Sequence, residues 1–223
     1  MPLAYPIMSE FPYHFIAIEG NIGAGKTTFC ELLARDFEAR LILEQFTDNP
    51  FLPLFYDTPE RYAFPVELFF MTERHKQLQA AFAGGADLFA PLSIADYFFV
   101  KTRLFAKNNL NTEEFRLFQQ LFEVLNGTFP KPDLLVYLHR SVEDLMRNIR
   151  KRGRTYETDI SAEYLASLQN VYFEYFRTET SLPIVVVDVE GIDFLSNPSD
   201  YERLVELLKS SYPKGLNRVE LSR

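Results

Sequence analysis

A glycine-rich segment early in the chain carries the clearest chemical signal of the sequence. It matches the pattern G-x-x-x-x-G-K-[ST] and, with the threonine that follows, comprises Gly20, Asn21, Ile22, Gly23, Ala24, Gly25, Lys26, Thr27 and Thr28. In this pattern glycines let backbone N–H groups turn inward around phosphate oxygens, the lysine adds a cation, and the hydroxyl is a ligand for Mg²⁺. This phosphate loop therefore predicts binding of nucleotide phosphates with Mg²⁺, and it leaves the acceptor of a phosphoryl group open.

The elements around the phosphate loop are those that its chemistry requires. Residues 14–19 form a short apolar run that is typical of a strand buried on both faces of a parallel sheet. After the loop, Phe29, Leu32, Leu33 and Phe37 recur at helical spacing. A strand, a glycine turn and a helix in this order predict a βα unit.

Four further strands and six further helices are predicted along the chain. The strands cover residues 41–44, 91–95, 134–138 and 183–188, and the helices cover about 65–82, 97–106, 112–125, 141–152, 161–176 and 199–208. Pro65 suits a first helical turn, Ser141 an N-cap, and Ser199 with Glu202 a capping box. Strands that alternate with helices predict an α/β fold of three layers, α/β/α, with a five-stranded parallel sheet.

Length and composition limit the remaining possibilities. A chain of 223 residues favours one domain over 1–223, with a turn at 84–85. Residues 1–13 are expected to form a flexible lead-in, which lacks an export signal. A net charge of −8 disfavours nucleic acid as a partner. One cysteine, Cys30, permits no internal disulfide, and no apolar run approaches the length of a membrane span. We therefore expect a soluble, cytoplasmic protein.

Several further segments, in this order and spacing, resemble a known family. They are the loop over 18–28, residues 48–52 leading to Phe55 and Tyr56, the helical run 67–78, residues 94–97, and Arg152-Gly153-Arg154 followed by Glu157. Together they resemble the deoxynucleoside kinase family, most closely its bacterial deoxyguanosine kinase branch. The resemblance implies transfer of the γ-phosphate of ATP to the 5′-hydroxyl of a purine deoxynucleoside.

The resemblance assigns the acceptor side of the reaction to Glu44. This residue ends a predicted strand, and ligands of open parallel sheets bind beyond the carboxyl ends of the strands. By similarity its carboxylate accepts the proton of the 5′-hydroxyl, a task that a loose phosphoryl-transfer transition state makes undemanding. The alternative is an ordinary exposed carboxylate at the end of a strand.

The resemblance places the nucleobase against one helical face. Glu67 and Arg74 are seven residues apart and share that face, with Met71 between them. Many relatives have glutamine at the first position. An ionised carboxylate accepts from the two adjacent N–H donors of guanine, so Glu67 predicts a preference for guanine, with Arg74 and Lys101 available for the O6 and N7 acceptors. Alternatively, Glu67 is an acid that complements the dipole of a first helical turn.

By similarity, Tyr56 and Glu157 hold the 3′-hydroxyl of the sugar, within an aromatic wall that leaves no room for a 2′-hydroxyl. A stacked or core tyrosine is the alternative for Tyr56. The basic stretch from Arg147 to Arg154 corresponds to a lid, about 147–160, in which Arg152 and Arg154 stabilise the transferring phosphate. One position departs from the family, because Asn148 stands where many relatives have the first arginine of the lid, and Arg147 or Arg150 is the candidate to substitute for it.

Asp96 marks a second departure, because many relatives have an acidic residue, arginine and serine where this chain has Ala95-Asp96-Tyr97. Asp96 either holds Mg²⁺ through water or caps a helix that begins at Tyr97.

Two alternative functions remain open, which are another kinase on the same scaffold and a non-catalytic relative. The helices over 65–82 and 112–125 are rich in Phe and Leu. The family implies that they form a homodimer, and the alternative is that these side chains belong to the ordinary core.

Overall fold

The computed structural model describes residues 11–45, 49–82, 92–127, 129–157 and 159–221. Their strands are β1 Phe15–Gly20, β2 Arg40–Ile42, β3 Ser93–Ala95, β4 Leu134–His139, β5 Pro183–Asp188 and β6 Gly215–Val219. Their helices are α1 Lys26–Asp36, α2 Leu52–Asp57, α3 Pro59–Phe82, α4 Lys101–Asn109, α5 Thr112–Asn126, α6 Val142–Arg152, α7 Ala162–Thr178 and α8 Pro198–Leu208. A 3-10 turn covers Thr155–Glu157. Asp48 and the turn predicted at 84–85 lie outside the described residues.

All the described strands are parallel and follow the order β2-β3-β1-β4-β5-β6. Side chains of the central strand β1 alternate between two cores: Ile16 and Ile18 belong to one, and Phe15 and Ala17 to the other. Because successive side chains of a strand point to opposite faces, both faces of the sheet need apolar cover. Helices supply it on each side, which confirms the predicted three layers.

The sheet has six strands among the described residues, so the prediction of five is wrong by one. β6 lies at the edge beside β5, and its sequence GLNRV begins with glycine and is only half-buried. Such a segment carries little strand propensity of its own, and pairing with β5 determines its conformation. The second predicted strand is also shorter than expected: β2 ends at Ile42, and Glu44 follows it outside the sheet.

Three predicted helix starts are wrong. α3 begins at Pro59, and Pro65 lies inside it, where packing of Ala63 and Val66 against Leu52 of α2 supports the additional first turns. α4 begins only at Lys101. In α8 the cap is Asn197, whose side chain accepts a hydrogen bond from Ser199 N at 3.1 Å, so Ser199 and Glu202 do not form the capping box.

The predicted lead-in over 1–13 is too long. Phe11 and Tyr13 are buried in the core, and the hydroxyl of Tyr13 donates to the carbonyl of Ser210 at 2.9 Å. Residues 1–10 lie outside the described part of the chain. In the ranges that are described, no helix combines the length and the apolar character that crossing a membrane would require.

Candidate active site

The phosphate loop joins β1 to α1 at the carboxyl edge of the sheet. Gly23 and Gly25 have φ angles of +84° and +95°, which favour glycine. A Cβ at Gly23 would lie 2.9 Å from the carbonyl oxygen of Leu145, and one at Gly25 would lie 2.8 Å from the ring of Phe194. Any other residue at these positions would strain or displace the loop.

Lys26 folds back over the phosphate loop. Its ammonium donates to the carbonyl oxygens of Gly20 at 2.9 Å and Asn21 at 3.0 Å. Burial, and then the nearby charge of Lys101, lower the pKa of Lys26 to about 8, against the attraction of neighbouring carboxylates. An anion bound in the loop would favour the charged form and replace these carbonyl contacts.

Asp96 connects the phosphate loop with the segment that carries Glu44. One carboxylate oxygen of Asp96 accepts from the Thr27 hydroxyl at 2.6 Å, and the other accepts from the backbone N–H of Glu44 at 2.7 Å. Asp96 is buried and does not cap a helix, because α4 starts five residues later at Lys101. The helix-cap interpretation is therefore wrong. Carboxylate and hydroxyl oxygens are suitable ligands for Mg²⁺, so Asp96 and Thr27 fit such an ion.

Glu44 lies on the same side of the sheet as the phosphate loop, and both line one pocket. Its Oε1 accepts from Arg74 Nε at 2.8 Å, and its Oε2 accepts from Lys101 Nζ at 2.5 Å. Burial alone would raise the pKa of Glu44, but the charges of Arg74 and Lys101 outweigh burial and hold this pKa far below its usual value. Glu44 is thus an ionised, oriented carboxylate and not the exposed residue of the alternative interpretation.

These contacts change the expected environment of Arg74 and Lys101. Both were predicted to face a nucleobase, but in the structure both hold Glu44, and Nη1 of Arg74 also donates to the Thr102 hydroxyl at 3.0 Å. Sequence reasoning missed Thr102. Its contact depends on how α3 packs on α4, which no local pattern reveals.

Glu67 lies at another part of the same pocket and is 1% exposed. Its Oε1 accepts from Asn109 Nδ2 at 2.6 Å, whereas Oε2 has no partner among the described residues. Burial raises the pKa of Glu67 to about 7, although Arg74 and Asn109 oppose this shift. Because α3 begins at Pro59, Glu67 does not lie in a first helical turn, and the dipole interpretation is wrong.

Asn109 was also missed by sequence reasoning, although a signal for it exists. Lys101, Phe105 and Asn109 are spaced by four residues along α4, and all three line the pocket. Residues four apart on a helix share a face. The position of Lys101 thus points to Asn109 once the length of α4 is known.

The lid contributes a cluster of charged and aromatic side chains. Glu157 is buried and accepts from Arg152 Nε at 3.0 Å and from Arg154 Nη1 at 3.3 Å. Tyr56 lines the pocket beside them, and its pKa is raised by burial and by neighbouring Tyr164. The predicted sugar-binding and lid residues are therefore neighbours. Residue 158 of the predicted lid lies outside the described residues.

Asn148, the departure within the lid, contacts the phosphate loop. Its Nδ2 donates to the carbonyl oxygen of Gly23 at 2.9 Å. Arg147 pairs with Asp144 on α6, and Arg152 and Arg154 are the described basic residues of this stretch that line the pocket. Asn148 thus supports the loop from outside, and Arg147 does not take over the place of a lid arginine.

Comparisons with known proteins show which family the chain is similar to. The family model for deoxynucleoside kinase matches residues 16–212. Deoxyguanosine kinase of Bacillus subtilis (strain 168) is 35% identical over 199 residues, which cover 87% of this chain and 96% of that protein. The deoxyadenosine/deoxycytidine kinase of the same organism is 28% identical over 198 residues, with 87% and 91% covered.

A solved structure of deoxyadenosine kinase from M. mycoides, with products dCMP and a flexible dCDP bound, has a TM-score of 0.76 and 25% identity. The match covers 88% of this chain and 100% of that one. The resemblance inferred from the sequence motifs is confirmed by the family model, and the fold is confirmed by this structure. The chain belongs to the deoxynucleoside kinase family of phosphotransferases.

Proposed function

We propose that this kinase transfers the γ-phosphate of ATP to the 5′-hydroxyl of a purine deoxynucleoside and that it prefers deoxyguanosine. The observation that carries the preference is the buried Glu67, which lines the pocket and whose Oε2 is buried without a partner among the described residues. Relatives alone do not decide the base, because both a deoxyguanosine kinase and a deoxyadenosine/deoxycytidine kinase match over most of the chain.

The contacts within the pocket support separate roles for the residues that line it. The phosphate loop would hold the triphosphate with Lys26 on its oxygens, and Thr27 and Asp96 would hold Mg²⁺, which neutralises charge on the phosphates. Arg152 and Arg154 lie on the lid side and would stabilise charge on the transferring group. Glu157, which anchors both arginines, would link them to the sugar.

Glu44 would act chiefly by orientation. A carboxylate held by Arg74 and Lys101 is a weak base, but it can accept a hydrogen bond from the 5′-hydroxyl and align that oxygen with the γ-phosphate. In a loose transition state the proton leaves late, so a weak base is sufficient. Tyr56 and Glu157 would bind the 3′-hydroxyl.

Guanine would bind with N1–H and N2–H against the carboxylate of Glu67. Adenine offers a donor beside an acceptor, and its N1 facing an ionised carboxylate would cost about 1 to 3 kcal/mol. Arg74 has five N–H donors, of which Glu44 and Thr102 occupy three, so it remains a candidate for guanine O6. Lys101 remains one for N7, because Glu44 occupies one of its three donors.

Deoxyadenosine is the second candidate, and a specific observation favours it. The pKa of Glu67 is about 7, so a large share of the side chain is neutral near neutral pH. A neutral carboxyl group presents a donor beside an acceptor, which matches adenine.

A panel of deoxyguanosine, deoxyadenosine, deoxycytidine and thymidine, each with ATP and Mg²⁺, tests the proposal. We expect the highest kcat/KM with deoxyguanosine, and guanosine should be a much poorer substrate. Deoxyadenosine clearly ahead of deoxyguanosine would refute the argument from Glu67 and leave the kinase assignment intact. A homodimer and a cytoplasmic location also remain predictions.

A further inference from the structure

We propose that Asn109 is a positioning residue that holds Glu67 as a hydrogen-bond acceptor and thereby determines the choice of guanine over adenine. The inference rests on the proposed function, because it concerns how the same pocket distinguishes two purines. Asn109 would act through Glu67, as an addition to the residues predicted from the sequence.

The contact itself is short and partly buried. Asn109 Nδ2 donates to Glu67 Oε1 at 2.6 Å, and both residues line the pocket. Since Oε1 accepts this hydrogen bond, a proton on the carboxyl group has to sit on Oε2. The contact therefore determines that Oε2 is the oxygen of Glu67 that gains or loses the proton when the group titrates.

Neighbours on α4 and α7 orient the amide of Asn109. Its Oδ1 accepts from Asn108 Nδ2 at 2.9 Å, and Asn108 Oδ1 accepts from the Ser167 hydroxyl at 2.7 Å. With Oδ1 occupied on this side, the N–H group of Asn109 faces Glu67. A reversed amide would set its oxygen against Oε1, which is favourable only when Glu67 carries a proton on that oxygen.

The donor from Asn109 favours the ionised form of Glu67, since a hydrogen bond to a carboxylate is stronger than one to a neutral carboxyl group. The ionised form offers two acceptors, which suit guanine. The neutral form, with its proton on Oε2, offers a donor and an acceptor, which suit adenine. Removing the Asn109 donor should therefore shift selectivity from guanine toward adenine.

Other groups around Glu67 come from each element packed against it. They are Arg74 on its own helix, Tyr56 on α2, Lys101 on α4, Tyr164 on α7 and Glu44 after β2. Burial favours the neutral form of Glu67, while Arg74 favours the ionised form. These effects leave the pKa of Glu67 at about 7, so one hydrogen bond to the ionised form is sufficient to change which form dominates.

The test is Asn109→Leu, which keeps the branched shape of the side chain and removes the donor. The ratio of kcat/KM for deoxyguanosine to that for deoxyadenosine is measured between about pH 6 and pH 9 in the full-length enzyme. Loss of one hydrogen bond to a charged group should lower this ratio about tenfold at neutral pH and move the midpoint of its pH dependence upward by about one unit. Asn109→Ala should shift both in the same direction and serves if the leucine variant does not fold.

The matched control places Asn109→Leu in a Glu67→Gln background. Glutamine does not titrate, so the ratio should be independent of pH there, and the added leucine should change it little. Equal losses of kcat/KM for both substrates, with an unchanged ratio and midpoint, would overturn the role of Asn109. If the wild-type enzyme phosphorylated neither purine deoxynucleoside, the proposed function would fail instead.

Discussion

Glu67 is a carboxylate whose two protonation states match two different purines. Its pKa is raised to about 7 by burial, so the side chain is mostly neutral below this pH and mostly ionised above it. We expect the selectivity for deoxyguanosine over deoxyadenosine to rise about tenfold between roughly pH 6 and pH 8, as the acceptor form replaces the donor form. Competition assays with both substrates measure this ratio. Lys26 also titrates, with a pKa of about 8, but it affects both substrates alike and so does not change the ratio.

Two variants on α3 control this experiment. Glu67→Gln removes the titrating group and should give a flat pH dependence with deoxyadenosine favoured. Glu73→Gln changes a half-buried glutamate of the same helix, which pairs with Lys76, and should keep the wild-type profile. A pH-independent ratio in the wild type would show that Glu67 does not change its protonation state in this range.

Glu44 is the second residue with a definite prediction. Glu44→Gln keeps the shape of the side chain but removes the charge between Arg74 and Lys101. We expect kcat to fall roughly 10²- to 10⁴-fold while deoxyguanosine still binds. Steady-state kinetics and isothermal titration calorimetry measure the two quantities. A loss of kcat smaller than tenfold would contradict the role of Glu44 in alignment.

At this scale, the sequence predicted the residues of the phosphate loop and the presence of Glu44 in the same pocket. It did not predict that Arg74 and Lys101 hold Glu44, or that Thr102 and Asn109 take part. Motifs specify residues that contact a shared ligand. Contacts between two protein side chains depend on how α3 and α4 pack, which a linear pattern does not contain.

The phosphate loop shows how elements impose residue types. Gly23→Ala would place a Cβ 2.9 Å from the carbonyl oxygen of Leu145 at a φ of +84°, so the backbone would have to move. We expect KM for ATP to rise about tenfold or more and the free energy of unfolding to fall by about 1 to 3 kcal/mol. Kinetics and urea denaturation measure these effects.

Gly127 offers a matched control, since it has a φ of −68° and a Cβ there would meet no atom within 4 Å. Gly127→Ala should leave KM for ATP and stability close to wild type. An equal effect of both substitutions would show that the backbone of the phosphate loop does not require glycine at position 23.

Element boundaries were predictable where apolar periodicity determines them, as in β4, β5 and α5. The predicted boundaries were wrong where tertiary contacts determine where an element begins. The turn before α4, for example, is held by Glu19, which accepts from the backbone N–H of Phe98 at 2.7 Å and from the Tyr172 hydroxyl at 3.0 Å. A buried carboxylate on β1 therefore delays the start of a helix some eighty residues away, beyond the reach of local propensity.

At the scale of the whole molecule, α5 leaves an apolar stripe on the surface. Leu117, Leu121 and Val124 are 51%, 40% and 75% exposed, and their spacing places them on one face of the helix. If the predicted homodimer forms through this stripe, Leu121→Glu with Val124→Glu should halve the molar mass measured by light scattering. Activity should persist, because the pocket is lined by other residues.

Arg116→Glu, also exposed and on another side of α5, is the control and should remain dimeric. A wild-type enzyme that is monomeric at micromolar concentration would refute the homodimer itself. A double variant that stays dimeric would place the interface elsewhere.

Asp96 has a consequence for the catalytic cycle. One of its oxygens holds the Thr27 hydroxyl, and the other holds the backbone N–H of Glu44. A Mg²⁺ ion held by Asp96 would compete for this carboxylate and would weaken its hydrogen bond to the segment that carries Glu44. Occupancy of the nucleotide site would then affect the nucleoside site through a single side chain, so the two substrates should bind with non-zero thermodynamic coupling.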